Sequence, residues 1–187
     1  MVASQGIARE FELSTAPTGV VVQLCDLREH LNLFETNHDS MIAGFEKMAV
    51  ERIENETRRQ LVSATWKMFL PCFPEFISIR KNPVSSITQI RYVDTNGDWQ
   101  VLSSSVYDSF LQREPAEIHL AYSQAWPSTR ATEQAVEVTF VAGYGTADDV
   151  PAIASHAIKL IVSDQYNGCD GNEPAITSLL SQLQWGM

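Results

Sequence analysis

The sequence predicts an α+β fold, a mainly helical bundle with an antiparallel β insert between the second and third helices. Three observations lead there. Apolar residues recur at helical spacing from 22 to 60. Between 61 and 142 the chain turns to β-branched and aromatic residues, cut by Pro71, Pro74, Pro83, Pro115 and Pro127. Helical spacing then returns from 150 to 184.

Length and composition fit one domain with a small appendage. The chain has 187 residues, 44% of them hydrophobic, and a formal net charge of −10. At this size roughly 70% of the unfolded chain's surface is buried on folding. No apolar run approaches the roughly 20 residues of a membrane span, and the amino terminus lacks the apolar stretch of a signal peptide. Cys25, Cys72 and Cys169 are odd in number and far apart, the pattern of reduced thiols in a cytosolic product.

Residues 1–20, with Ser14, Thr15, Pro17, Thr18 and Gly19, hold no sustained period and read as a flexible amino-terminal arm; residues 21–187 form the domain. A first helix is expected at about 22–31, from Leu24, Leu27 and Leu31. A second, at about 39–60, places Met41, Ile42, Phe45, Met48, Ala49 and Ile53 on one face. Asn37 or Asp39 suits its start, and Glu54 stands four residues before Arg58 in a favourable order for an ion pair.

The β insert covers about 61–142. Ile90 and Tyr92, then Asn96-Gly97, then Trp99 and Val101 read as a hairpin, because Asn-Gly supplies the positive φ angles of a tight turn. Val136, Val138 and Phe140 alternate with Glu137 and Thr139, a half-buried strand ending at Gly143-Tyr144-Gly145. Asp148-Asp149 and Pro151 then open a helix at about 150–166 that Asn167-Gly168 stops. A last helix is expected at about 173–184, bearing Ile176, Leu179, Leu180 and Leu183.

Candidate chemistry is thin. His30, His38, His119 and His156 have no nameable partner for acid–base work, and no serine stands in a Gly-x-Ser-x-Gly elbow. Asp94-Thr-Asn96-Gly97-Asp98 begins like a calcium loop, but its Gly is fourth and its twelfth residue is Ser105, so a hairpin turn explains it without an ion. Gly143-Tyr-Gly145 lacks the rest of any phosphate loop. The reading is therefore no enzyme, no cofactor and no metal.

Charge is unevenly spread. Residues 92–187 hold three basic against twelve acidic side chains, net −9, whereas residues 1–91 are net −1. Such a surface repels polyphosphate, which disfavours a sequence-specific DNA-binding domain.

Several phrases together resemble the head–tail connector (adaptor) family of long-tailed bacteriophages and prophages. They are Asp26-Leu-Arg28-Glu-His-Leu31, the helix Met41 to Arg59, Ile77-Ser-Ile-Arg-Lys-Asn-Pro83-Val84-Ser-Ser-Ile87 and Tyr92-Val-Asp94-Thr-Asn-Gly97. The most specific are Trp126-Pro127-Ser-Thr-Arg130 and Val138-Thr-Phe140-Val-Ala-Gly143-Tyr144-Gly145, then Val150-Pro151 opening a helix that ends near Tyr166. Two departures stand out. The family's penultimate helix often ends in a Tyr-Glu-Asn-Arg type sequence, where this chain has Tyr166-Asn-Gly168-Cys169. The last helix lacks the usual basic residue and ends Gln184-Trp185-Gly186-Met187.

The resemblance implies a structural virion protein of the neck, made in the bacterial host cytoplasm. It would form a ring of twelve copies beneath the portal, join portal to tail or stopper, and extend the DNA channel without binding DNA by sequence. Other neck or tail-completion proteins of the virion are a rival reading, and a small hydrolase is another. Family members often grip the portal with the carboxy-terminal segment, which here offers Leu183 and Trp185. Trp126 and Tyr144 are expected between neighbouring subunits. A channel that conducts a polyanion gains from a wall that does not hold it, so channel-lining candidates are Asp108, Glu114, Glu117, Glu133, Asp148, Asp149, Asp164, Asp170 and Glu173.

Overall fold

A computed structural model describes residues 10–184. The chain divides into two compact units, each discontinuous in sequence: one takes residues up to Pro17 and Ala64–Gly143, the other Thr18–Ser63 and Tyr144 onward. The expectation of a mainly helical bundle is corrected here. Helix accounts for 34% and strand for 27%, and the strands form two sheets with a core of their own, so the fold is a balanced α+β one. Short strands and frequent prolines gave the β residues the look of an insert.

The β unit has eight strands: β1 (Glu10–Thr15), β2 (Ala64–Leu70), β3 (Phe76–Ile79), β4 (Val84–Val93), β5 (Trp99–Val101), β6 (Tyr107–Phe110), β7 (Ala116–Leu120) and β8 (Val136–Ala142). One sheet has the order β1-β2-β8-β4-β5 and the other β3-β7-β6, with every pairing antiparallel. Met68, Leu70, Ile90, Val136, Val138 and Phe140 from the larger sheet share a core with Ile77, Ile79, Ala116 and Ile118 from the smaller. Residues 10–15, assigned to the arm from sequence, are the edge strand β1. Five of its six residues are exposed, so an edge strand of this kind shows little of the alternation that marks a half-buried one. β8 is not half-buried. It is central, and even Glu137 on its polar side is 4% exposed.

The helical unit holds α1 (Leu24–His30), α2 (Asp39–Thr57), α3 (Ala152–Asn167) and α4 (Glu173–Leu183). Ile42, Ala49 and Ile53 of α2 pack with Ala154, Ala157, Ile158 and Ile161 of α3 and with Ile176 and Leu180 of α4 in one apolar cluster. Met41 and Met48 depart from the expected face: both are exposed. Residue 38, not 37 or 39, occupies the start of α2, with no side-chain cap. Arg58 closes α2 in the left-handed region (φ 56°), and Glu54 accepts hydrogen bonds from Gln60 Nε2 (2.7 Å) and the Leu61 N–H (2.9 Å). Gly168 ends α3 at φ 65°, the conformation a side chain would resist.

Candidate functional site

Among the described residues no group of three or more His, Cys, Asp or Glu side chains could hold a metal ion. Asp94 shows what the calcium-like phrase does instead. Its Oδ1 accepts the N–H groups of Asn96, Gly97 and Asp98 at 2.9–3.0 Å, and Oδ2 accepts Gln100 Nε2 at 3.1 Å. These bonds, led by that from Asp98, hold its carboxyl below the usual range. The carboxylate closes the β4–β5 hairpin. Gly143 and Gly145 have φ of 131° and 134°, and between them Tyr144 donates its N–H to Leu61 O at 3.0 Å. Thr146 and Asp149 then form a reciprocal capping box.

His30 and His156 are neighbours, and His38 and His119 have other partners. Burial, then the nearby charges of Lys159 and His156, lower the pKa of His30. His38 meets Tyr166 edge-on at 5.7 Å. His119 Nε2 lies 3.0 Å from Glu117 Oε2, and its ring is stacked on Phe76 at 5.1 Å. A shallow cleft of about 550 Å³ in the β unit is lined by hydroxyls and rings, Ser85, Ser86, Ser109, Tyr107 and Phe110 among them, with Asp108 its one titratable acid. It holds no paired acid and base.

The sequence-predicted partner residues fare differently. Trp126 stacks flat on Phe73 (4.7 Å between centroids, 4° between planes) and is partly buried against the β core. Its Nε1 is buried with no acceptor among the described residues. Tyr144 is partly buried against the helical core, and its hydroxyl accepts from Arg59 Nη1 at 3.1 Å. Leu183 is buried in that same core, so most of it is spent on packing within the chain. Trp185 lies outside the described residues.

Nor do the nine acids behave alike. Asp164 is buried: Oδ1 accepts Asn172 Nδ2 at 2.7 Å and Oδ2 the Asn172 N–H at 3.0 Å, which ties the α3–α4 turn. Glu173 is paired with Arg52, and Glu117 with His119 and Arg113; both carboxyls are held below the usual range by those partners. Asp149 serves the capping box, and Glu114 is partly buried. Asp108, Glu133, Asp148 and Asp170 are exposed.

Sequence reasoning missed the outward face of the smaller sheet. The register sets Phe76, His119 and Asp108 in one row and Ser78, Glu117 and Phe110 in the next. Phe76 and Phe110 are exposed although they flank His119, and Arg113 lies over the Phe110 ring. The signal was present: in Phe76-Ile77-Ser78-Ile79 the buried isoleucines fix Phe76 on the opposite side.

No known family profile matches the chain, and no curated protein matches it significantly. Solved structures do. A chain from the "neck of empty GTA particle computed with C6 symmetry" superposes with a TM-score of 0.78 at 20% identity, covering 95% of this chain and 96% of that one. Chains from the "virion of native gene transfer agent (GTA) particle" and the "neck of native GTA particle computed with C12 symmetry" superpose at 0.77, with the same identity and coverage. The likeness is one of fold. It extends over both units and nearly the whole of each chain.

Proposed function

We propose that the chain is a structural subunit of the neck of a phage-like particle. The observation that carries this is the fold match over 95% of the chain to neck structures of gene transfer agent particles. On this reading the protein forms a closed ring in the virion, consistent with the sixfold and twelvefold symmetries under which those necks were computed.

The finer reading adds twelve copies, a portal on one side, a tail or stopper on the other, and DNA passing through the centre. The exposed acids Asp108, Glu133, Asp148 and Asp170 are the ones free to face that channel. Trp185 is the proposed portal anchor, since Trp is enriched among the residues that carry binding energy at interfaces. Cryo-electron microscopy of particles carrying a tagged copy is the test. Density for the tag in a ring between head and tail is expected, and particles built without the chain should be DNA-filled heads lacking tails. Complete, tailed particles devoid of the protein would overturn the reading.

A further inference from the structure

The cleft in the β unit lies between two strands that each lack a neighbour on one side. It is lined by residues 85–87 of β4 and by residues 107–111, a run that takes in all of β6. Successive side chains of a strand point to opposite faces, so a cavity that touches every residue of β6 runs along its edge. β7 occupies one edge of β6, and among the described residues the other pairs with no strand. β4 repeats the arrangement. β8 holds one side of it, whereas β5 pairs only with Arg91, Tyr92 and Val93, and the bond from Leu102 N–H to Ile90 O is the last before the chain leaves. Over residues 85–87 the second side of β4 is open. Ser104, in the short turn between β5 and β6, also lines the cleft.

The lining has unused polar groups. The hydroxyls of Ser86, Ser104, Tyr107 and Ser109 make no hydrogen bond among the described residues, and Asp108 is the one charged side chain. Open main-chain edges beside free hydroxyls suit a ligand that presents N–H and C=O groups at strand spacing. Size agrees. A strand residue packed in a sheet fills about 160 Å³, from a rise of about 3.4 Å, a strand spacing of about 4.8 Å and a sheet spacing of about 10 Å. The cleft of about 550 Å³ therefore takes roughly three or four residues, and β6 has four. β4 is bulged on either side of Ser86-Ile87. β6 keeps a regular register with β7 and, apart from Asp108, carries none of the charges, prolines or bulges that guard an exposed edge.

We infer that the cleft is a docking site for an extended segment of another polypeptide, which adds to β6 as a fourth strand of the smaller sheet. All eight described strands are already held in the two sheets, so the segment comes from a partner protein. It is free of proline and rich in uncharged Ser, Thr or Val, which match the hydroxyl lining. Asp108 then belongs to this contact, leaving Glu133, Asp148 and Asp170 for a channel. The inference does not depend on the neck reading.

NMR shift mapping and amide hydrogen exchange on the purified full chain test the site, with the peptide acetyl-Thr-Val-Ser-Val-Thr-amide as probe. Binding with a Kd of about 1 mM is expected. Shifts should fall on residues 85–87 and 104–111, and exchange should slow at alternate amides of β6. N-methylation of the peptide's odd-numbered amides blocks one of its edges, and of its even-numbered amides the other. One methylated peptide should bind as the parent does, the other about tenfold more weakly. Ser86→Trp fills the cleft and should abolish binding with the melting temperature unchanged. Equal binding by both methylated peptides, shifts elsewhere, or no shifts would overturn the inference. So would maltotriose shifting these residues where the peptide does not, which makes the cleft a saccharide site. β6 amides already slow in a self-associated chain would overturn it too, by giving the edge to a second copy.

Discussion

Arg91 on β4 and Glu137 on β8 face each other across the larger sheet, with Nη2 2.6 Å from Oε2. Lys67 on β2 reaches the other carboxylate oxygen at 3.7 Å. The central strand therefore carries a buried anion bracketed by a cation from each neighbour. Both cations keep about a third of their side-chain surface in water and can resolvate if the acid is lost.

Glu137→Ala should destabilise the β unit by about 1–3 kcal/mol, below the cost of breaking a fully buried pair. Glu137→Gln should recover part of that loss by keeping an acceptor beside Arg91. Chemical denaturation followed by tryptophan fluorescence checks both; equal stability of Glu137→Ala and wild type would show that the bracket contributes nothing.

Glu46 gives a pH dependence of the opposite kind to most carboxylates. It is buried in the helical unit and accepts the Val21 N–H at 3.0 Å, and burial raises its pKa despite that bond. A raised folded pKa means that its contribution is full below the ordinary glutamate pKa and is lost as pH rises through the folded value. Glu46→Gln should therefore stabilise the protein near pH 7 and flatten the fall of melting temperature as pH rises above the ordinary glutamate range. Glu46→Leu should instead lose about 1–3 kcal/mol, because the Val21 N–H is left without its acceptor.

Acid substitutions should split by burial. Asp164→Ala should cost about 1–3 kcal/mol by releasing Asn172 and loosening the start of α4. Asp148→Lys and Asp170→Lys should leave the melting temperature unchanged. If these two line a channel, the same changes slow DNA ejection, and more so at low salt. Ejection kinetics at two ionic strengths separate that role from simple solubility.

Trp126 needs a paired test because it belongs to its own core as well as to a proposed contact. Trp126→Ala removes the stack on Phe73 and should cost about 1–3 kcal/mol. Trp126→Phe retains a ring against Phe73, so its fold should hold. Loss of assembly in Trp126→Phe, with melting intact, would support a role between subunits; normal assembly would remove it.

The sequence was legible where a side chain's environment repeats with the element's period. Ile42, Ala49 and Ile53 announced α2 because its buried side is apolar, and Asn96-Gly97 announced the turn between β4 and β5. Met41 and Met48 misled, since hydrophobicity alone does not tell a core position from an exposed one. β1 was illegible because an exposed edge strand owes its place to backbone bonds with β2, not to its side chains. Among the acids, composition could not separate Asp164, which ties a turn, from Asp170, six residues on and open to water. Pairing and burial are long-range facts.

The interleaving of the two units has a consequence for the order in which they can be made. A ribosome releases the chain from its amino end, and the β unit is complete once Gly143 has emerged. At that moment β8 can slot between β2 and β4, closing the larger sheet. α1 and α2, already synthesised, still lack α3 and α4, against which Ile42 and Ile53 pack. The older helices must therefore wait, apolar side uncovered, while a sheet that begins before them and ends after them is finished first. During that interval the nascent helices are the aggregation-prone part of the molecule, and a chaperone that shields this protein in the cell would be expected to hold residues 18–63.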